Sequence, residues 1–311
     1  MADKPKVAFY WCAACGGCEE AIVDLGEGLL EVAAAVEIVF WPVALDFKRR
    51  DIEQLADHSL AAAFVNGAIR TGEQEEMARL LSAKAQLLFA FGSCAHLGGI
   101  PGLANLFTSR EVLATAYPPD NFPRHACRDN GHALELPELF DTVRPLDQVV
   151  PVDYYVPGCP PTPRIIQSAL QALLSDTLPP RGSVLAPDVA LCEECPRKDS
   201  RPPDLTVAAF HRPHQIVIDE EKCMLAQGIL CLGPATRGGC EAPCIRGNMP
   251  CTGCFGPTSR VRDFGGKALS AVASVAADEA ALEAIPDPVG AFYRYSLPAS
   301  LLRRKKNGGD R

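Results

Sequence analysis

The 311-residue sequence predicts an α/β fold, in which a doubly wound parallel sheet is followed by a small, irregular, cysteine-rich domain. Two observations predict it. Short β-rich apolar runs alternate with helical patterns up to about residue 175, as is typical of doubly wound sheets. From there to Gly256 the sequence is rich in Cys, Gly and Pro and has no regular hydrophobic period. The length suffices for one large core and a second, smaller unit.

The strands are predicted from apolar runs, several of which are apolar enough to be buried on both faces. These runs are Lys6–Trp11, Val36–Trp41, Ala61–Val65, Gln86–Phe91 and Val149–Val156. Helical patterns lie between them, at residues 18–33, 49–57, 72–84 and 162–175. Successive strands joined by helices predict a parallel sheet with helices on both faces.

The segments outside this alternation define the predicted domains. Residues 104–147 are expected to form a long mixed loop on the surface or against a partner. The proline-rich stretch 178–182 predicts a domain boundary. The predicted division is therefore 1–178 for the sheet domain, 186–260 for the cysteine-rich domain, and 261–311 for a helical stretch at 268–284 followed by a polar tail.

Composition excludes several classes of function. The net charge of -8 argues against a nucleic-acid partner. No apolar run reaches the ~20 residues that span a bilayer, and the N-terminus does not resemble a signal peptide, so a cytoplasmic protein is expected. Cytoplasmic thiols are kept reduced, so the 14 cysteines point to metal rather than to a disulfide scaffold.

One group of cysteines follows predicted strands. Cys12, Cys15 and Cys18 follow the first, Cys94 the fourth and Cys159 the fifth. The carboxyl ends of parallel strands lie along one edge of the sheet, so these thiols are expected to converge there. An iron-sulfur cluster explains them best. The alternatives are buried core cysteines, a structural zinc site, and a redox C-x-x-C motif that leaves Cys94 and Cys159 unexplained.

Eight further cysteines are confined to residues 192–254, and eight thiolates suit two 4Fe-4S clusters. They are Cys192, Cys195, Cys223, Cys231, Cys240, Cys244, Cys251 and Cys254. The spacing leaves open how they pair into clusters, and zinc would explain only the two C-x-x-C couples. This segment is expected to bury too little apolar surface to fold alone, so bound metal would supply much of its folding energy.

The first group also resembles a known family. The motifs are similar to the proximal-cluster motifs of nickel-iron hydrogenase small subunits and of the complex I 20 kDa subunit: Cys15-Gly16-Gly17-Cys18-Glu19-Glu20, Gly92-Ser93-Cys94-Ala95 with Gly98-Gly99, and Pro157-Gly158-Cys159-Pro160-Pro161. The resemblance implies a flavodoxin-like domain whose 4Fe-4S cluster is held by Cys15, Cys18, Cys94 and Cys159. Cys12 also has C-x-x-C spacing from Cys15, which leaves open whether it replaces Cys15 or Cys18, but the motif match favours Cys15 and Cys18 and makes Cys12 a neighbour of the cluster.

The stretch from Glu221 to Pro257 resembles the C-terminal domain of small subunits of the methyl-viologen-reducing and deazaflavin-reducing cytoplasmic hydrogenases. The resemblance covers about residues 5–258, and the last fifty residues add nothing to it. It implies three 4Fe-4S clusters, no nickel in this chain, and two partners: a large hydrogenase-like subunit and an electron-accepting iron-sulfur or flavin subunit. Neither nucleic acid nor a membrane span is expected.

The sequence therefore predicts the electron-transfer small subunit of a cytoplasmic nickel-iron hydrogenase. One alternative is an iron-sulfur connector whose large subunit lacks nickel, as in complex I-like or heterodisulfide-reductase-like assemblies. Another, from a different class, is a zinc-stabilised scaffold. Ala14 stands where many hydrogenase small subunits carry a glutamate, and Glu19 or Glu20 could substitute for it. Cys127 and His96 receive no role.

Overall fold

The computed structural model describes residues 4–117, 126–129 and 131–303, and a parallel sheet of six strands is its centre. The strand order is β10-β9-β5-β3-β1-β2. The strands are β1 (Lys6–Trp11), β2 (Glu37–Phe40), β3 (Ala62–Asn66), β4 (Ile69–Thr71), β5 (Leu88–Phe91), β6 (Ala126–Asp129), β7 (His132–Glu135), β8 (Leu139–Arg144), β9 (Tyr154–Val156) and β10 (Ser183–Val184). The α/β prediction is confirmed.

The helices fill the connections of the sheet and the C-terminal part of the chain. They are α1 (Gly17–Val23), α2 (Gly28–Ala35), α3 (Arg49–Glu53), α4 (Gly72–Lys84), α5 (Ser93–Leu97), α6 (Ser109–Ala116), α7 (Pro163–Leu174), α8 (Pro243–Arg246), α9 (Phe264–Ala273), α10 (Glu279–Glu283) and α11 (Pro288–Phe292). No helix in the described ranges is long and apolar enough to cross a membrane.

All five predicted strands are present, but the sheet also has one that was not predicted. β10 pairs in parallel with β9 and lies beyond residue 178, where the sheet domain was expected to end. It is two residues long, too short to show a hydrophobic period. The fifth predicted strand is shorter than expected, because a 3-10 turn at Leu146–Gln148 precedes it and pairing begins only at Tyr154.

The helix predictions succeed where the termini carry signals. α4 has the predicted bounds, and its N-terminus is capped by Thr71, whose Oγ1 accepts the Gln74 N–H at 3.3 Å. α7 begins with a proline, at the position where its missing N–H costs least. The single helix predicted for 18–33 is wrong, because Gly26 adopts a left-handed conformation with φ 58° and separates α1 from α2.

The prediction of a long mixed loop over 104–147 is also wrong. The segment contains the end of a 3-10 helix (Ile100–Leu106), the helix α6, the hairpin β6–β7, and β8, which pairs antiparallel with β4. The start of α6 could have been predicted from the sequence, because Thr108 and Glu111 have the spacing of a capping box. In the structure the Glu111 N–H donates to Thr108 Oγ1 at 3.2 Å. Residues 118–125 and 130 lie outside the described ranges.

The core on one face of the sheet continues into the cysteine-rich region. Phe9, Phe64, Phe89 and Tyr154 form a row of rings across the strands, with neighbouring ring centroids 4.6–5.3 Å apart. Buried side chains from the later part of the chain join the same cluster: Leu191, Met224, Leu225, Ile229, Ile245 and Phe255. The apolar residues of this region lack a period but converge on the sheet, which supplies part of the surface that buries them. The expectation that the segment buries too little apolar surface to fold alone stays a prediction.

The last described residues pack on both regions. The stretch predicted as one helix at 268–284 is two helices, α9 and α10, and α9 packs through Phe264 and Ala268 against Leu232. The backbone then returns to the sheet, where the Gly99 N–H donates to the Tyr295 carbonyl at 3.0 Å. Part of the expected polar tail, residues 304–311, lies outside the described residues.

Candidate functional site

Four thiols meet where three strands end, and we call them the sheet-edge quartet: Cys15, Cys18, Cys94 and Cys159. β1 leads into the loop that carries Cys15 and into Cys18 in the first turn of α1. β5 leads directly into α5, which contains Cys94, and β9 leads to Cys159, whose bond to Pro160 is cis. Because β1, β5 and β9 run parallel in one sheet, their three following loops open at the same edge.

Two glycines bring the backbone close to these sulfurs. Gly92 has φ 86°, and a Cβ on it would collide with Cys18 Sγ. Gly99 has φ 60°, and its Cβ would collide with Cys94 Sγ. Both positions combine a backbone conformation that favours glycine with a space that only glycine leaves open.

The thiols of the sheet-edge quartet affect one another electrostatically. Burial raises the pKa of Cys18, and the neighbouring thiols Cys94, Cys159 and Cys15 raise it further. Burial, followed by the thiols of Cys159 and Cys15, raises the pKa of Cys94 to about 12, although the Ile100 backbone N–H donates to its sulfur. Burial and mutual repulsion disfavour four thiolates here, so a positively charged group between them would be needed to keep all four ionised.

Cys12 lies elsewhere. It is 5% exposed and packs in the core on the other face of the sheet with Ala8 and Val65. Burial raises its pKa, followed by the charge of Glu73. The C-x-x-C spacing from Cys15 therefore does not bring Cys12 into the quartet.

Of the two acids after Cys18, only Glu19 is buried. One of its carboxylate oxygens accepts the Trp41 Nε1–H, and the other accepts an Asn66 Nδ2–H at 2.7 Å. Burial raises the pKa of Glu19, while these two hydrogen bonds lower it. Trp41 and Asn66 stand at strand ends and carried no sequence signal.

The eight later cysteines separate into two sets. The outer quartet comprises Cys192, Cys195, Cys223 and Cys231. Burial raises the pKa of Cys192 to about 12, followed by the thiols of Cys231 and Cys195, and Cys223 also contributes. All four line one cavity.

The inner quartet comprises Cys240, Cys244, Cys251 and Cys254, which line a second cavity of about 250 Å³ together with Cys159. Burial, together with the thiols of Cys159, Cys240 and Cys244, raises the pKa of Cys254 to about 12, although the Cys159 backbone N–H donates to its sulfur. The chain thus groups its cysteines in sequence order, and the crossed pairing that the spacing left open is not seen.

Direct contacts join the three quartets in a line. The Cys159 backbone N–H donates to Cys254 Sγ, and Ser93 Oγ donates to the Cys254 carbonyl, so the sheet edge touches the inner quartet. The Cys251 N–H donates to Cys231 Sγ at 3.4 Å, so the inner quartet touches the outer one. The order along the line is sheet-edge, inner, outer.

The quartets fit iron-sulfur clusters better than single metal ions. No group of three or more Cys, His, Asp or Glu side chains in the described part of the chain is arranged to hold one metal ion, whereas tetrahedral zinc needs its sulfurs about 2.3 Å from a common point. Backbone N–H groups donate to several sulfurs, as is common around such clusters: those of Ile100 to Cys94, Ala242 to Cys240, Gly253 to Cys251 and Gly233 to Cys231.

Other candidate residues are not in the quartets. Burial lowers the pKa of His96 to about 3, and its ring packs against that of Tyr155 in a tilted arrangement with the centroids 4.6 Å apart. His96 is therefore a neutral, packed side chain. Cys127 lies in β6, and its side chain is outside the described part of the structure. Sequence reasoning missed Arg197 and Arg237, which are 6% and 4% exposed and join loops around the inner and outer quartets.

Comparisons with known proteins agree with this architecture. The family described as NADH ubiquinone oxidoreductase, 20 Kd subunit, matches residues 15–173. The iron-sulfur subunit of the F420-non-reducing hydrogenase of Archaeoglobus profundus is 38% identical over 96% of this chain and 98% of its own length. A subunit of the F420-non-reducing hydrogenase vhu of Methanocaldococcus jannaschii is also 38% identical, over 96% and 97%.

These matches extend further than the sequence motifs indicated. Coverage of 96% includes most of the last fifty residues, so the expectation that they add nothing to the resemblance is wrong. Among solved structures, a chain of the NiFeSe hydrogenase of Desulfovibrio vulgaris Hildenborough shares the fold, with a TM-score of 0.54 and 16% identity over 86% of this chain and 97% of that one. The chain belongs to the family of iron-sulfur subunits of F420-non-reducing hydrogenases, and is thus a component of an oxidoreductase complex.

Proposed function

We propose that this chain is the electron-transfer small subunit of a nickel-iron hydrogenase and that each quartet holds one 4Fe-4S cluster. The observation that carries the proposal is the line of contacts from Cys159 through Cys254 and Cys251 to Cys231. Three cysteine quartets that touch in sequence provide a path from one surface of the protein to another. The iron-sulfur chemistry of relatives in the same family supports the choice of metal group.

The residues of each quartet have a defined task. The thiolates hold the metal group, which when bound accepts and donates single electrons. The backbone N–H groups stabilise negative charge on sulfur and so favour the reduced state. Burial shields Cys240 and Cys251 of the inner quartet from water, whereas Cys244 is exposed, and a low dielectric strengthens the effect of charges near the buried pair.

The sheet edge is the surface at which a large, hydrogenase-like partner would bind. Cys15 is exposed there, although the other three members of its quartet are half-buried or buried. Large apolar side chains are also exposed: Trp11 by 37% at the end of β1, and Ile100 by 50% beside Cys94. Exposed apolar groups around a redox site indicate a surface that another subunit covers.

The outer quartet would pass electrons to an acceptor, an iron-sulfur or flavin protein. A cytoplasmic complex without a membrane span or nucleic acid remains the prediction for this assembly. A connector whose large subunit lacks nickel would use the same three quartets, since the catalytic metal lies in the partner. Ala14 is compatible with either assignment.

Purification of the complex from its native host tests the proposal. We expect a hydrogenase large subunit to co-purify and the complex to reduce a dye in the presence of hydrogen. A complex that holds iron and sulfide but does not oxidise hydrogen would favour the connector. A chain purified with zinc and without sulfide would contradict both assignments.

A further inference from the structure

The inference rests on the proposed function and begins with one buried cation. Arg197 is 6% exposed and makes no salt bridge to any residue that the structure describes. Its guanidinium donates instead to neutral groups: the carbonyls of Asp219 at 3.2 Å, Lys222 at 3.4 Å and Ile245 at 3.0 Å, and Asn248 Oδ1 at 2.9 Å. A buried charge without a counter-charge is strongly unfavourable, so the fold implies a negative group nearby.

Arg237 is a second buried arginine, and it differs from Arg197 in having a counter-charge. Arg237 is equally buried and also donates to backbone carbonyls, but its Nη2 forms a salt bridge with Asp188 at 2.9 Å. Arg197 has hydrogen bonds of the same kind and lacks the carboxylate. Hydrogen bonds to carbonyls orient a guanidinium, but they do not neutralise it.

The outer quartet supplies the missing negative charge. Arg197 lines the cavity that is bounded by Cys192, Cys195, Cys223 and Cys231, and Arg201 lines the same cavity. Four thiolates outweigh the positive charge of a 4Fe-4S core, so a loaded outer quartet is an anion. A buried cation beside such an anion favours its more negative, reduced form.

The inner quartet has the opposite surroundings. The Glu194 carboxylate lies 3.7 Å from Cys240 Sγ and is held there by the N–H groups of Gly239 at 2.9 Å and Glu241 at 3.0 Å. Asp24 lines the cavity of the inner quartet. Negative charge at this position disfavours reduction. Glu194 and Arg197 are three residues apart, on either side of Cys195.

We propose that Arg197 and Glu194 set the direction of electron flow, with Arg197 raising the reduction potential at the outer quartet and Glu194 lowering it at the inner one. One electron then leaves the inner site and arrives at the outer site, and no bond is made or broken. The electron is supplied by the large subunit and removed by the acceptor protein. Arg197 and Glu194 are positioning residues rather than ligands, because each acts on the metal group only through its charge.

Redox titration of the purified complex, followed by electron paramagnetic resonance, tests the proposal. Arg197→Gln removes the buried charge, Arg197→Lys keeps it, and Lys198→Gln removes an exposed charge one residue away as the matched control. We expect Arg197→Gln to lower the reduced-to-oxidised ratio of the outer cluster at a fixed potential at least tenfold, which is about 59 mV for one electron. Arg197→Lys and Lys198→Gln should shift the reduction potential by less than a third of that.

Glu194→Gln is the complementary variant, and we expect it to raise the reduced-to-oxidised ratio of the inner cluster at least fivefold. If Arg197→Gln does not assemble, the reduction potentials of the unaltered complex and of Glu194→Gln still test the proposal. An inner potential at or above the outer one, or an inner potential that Glu194→Gln leaves unchanged, overturns the proposal. The iron content of the same samples distinguishes failure of the proposed function from failure of this inference. Fewer than three clusters contradicts the proposed function, whereas full loading with unmoved potentials contradicts only this inference.

Discussion

The sheet-edge quartet and the two C-terminal quartets consist of the same residue type but are positioned by different means. Cys94 and Cys159 each lie three residues after a strand whose core side chains are buried, and Cys18 lies in the first turn of the helix that follows β1, so the parallel sheet determines where these thiols lie. The inner and outer quartets lie on 3-10 turns, loops and the four-residue helix α8. One site is therefore built on a scaffold, whereas the other two are largely part of their own scaffold.

Removal of metal should produce the largest difference between the two regions. We expect anaerobic extraction of iron to expose the backbone of residues 186–260 to hydrogen exchange, because metal binding contributes much of the folding energy of such segments. The strands β1, β3 and β5 should stay protected, since their pairing needs no metal. Hydrogen exchange with mass spectrometry measures this. Equal deprotection of both regions would show that the sheet, too, depends on metal.

Substitution of single cysteines sharpens the comparison. Cys231→Ala removes a ligand of the outer quartet and should lower the iron content from about twelve to about eight per chain, since each quartet is expected to hold four irons. Cys12→Ala is the matched control, because Cys12 is also a buried cysteine but belongs to the core. Elemental analysis of both purified variants gives the answer. Loss of iron from Cys12→Ala would contradict its exclusion from the sheet-edge quartet.

A glycine variant tests the sheet-edge site alone. Gly92→Ala places a Cβ against Cys18 Sγ at φ 86°, so we expect loss of the sheet-edge cluster signal with the other two retained. Gly26→Ala is the control, because Gly26 also has a positive φ but no atom lies within 4 Å of its added Cβ. Its cost should be limited to backbone strain of about 1–2 kcal/mol. If both variants keep three clusters, the close approach at Gly92 is not required.

The smallest effect is expected at Asp188, at the edge of the cysteine-rich region. Hydrogen bonds from Ser259 lower the pKa of Asp188, and Arg237 lowers it further. A lowered pKa means that this contribution to stability is present above the ordinary value of about 3.9 and is lost as the pH falls through the folded value.

Asp188→Asn should therefore lower the thermal midpoint at pH 7 by the equivalent of about 1–3 kcal/mol, because the buried Arg237 guanidinium loses its counter-charge, although the half-exposed carboxylate is partly screened by water. The difference from the unaltered protein should shrink on acidification. Thermal scans at a fixed rate at pH 7 and below about pH 3 measure it, because the contribution is lost only below the ordinary value of about 3.9. A difference that grows toward low pH would contradict the assigned sign.

The parts of the site that the sequence predicted are those with local signals. Alternating apolar and helical segments predicted the sheet, and parallel topology then implied that Cys94 and Cys159 meet the cysteines after β1. The grouping of the eight later cysteines was not predictable, because it depends on contacts between loops without periodicity. Arg197 was likewise hidden, since nothing in its neighbourhood along the chain indicates that it is buried.

The return of the C-terminus to the sheet also had no local signal. A Cβ on Gly98 would collide with Pro298, and Gln148 Nε2 donates to the Pro298 carbonyl at 2.8 Å. Gly98 was expected to serve the loop after Cys94, and its neighbour across about 200 residues of sequence could not be inferred from spacing. Such long-range contacts explain why 261–311 was expected to be only a helix and a tail.

The central claim is that three quartets each hold a 4Fe-4S cluster, and the metal and sulfide content of the native complex tests it most directly. We expect about twelve iron atoms and about twelve acid-labile sulfides for each copy of this chain, after subtraction of what the partner subunits hold. Stoichiometric zinc without sulfide in the purified chain would contradict the claim.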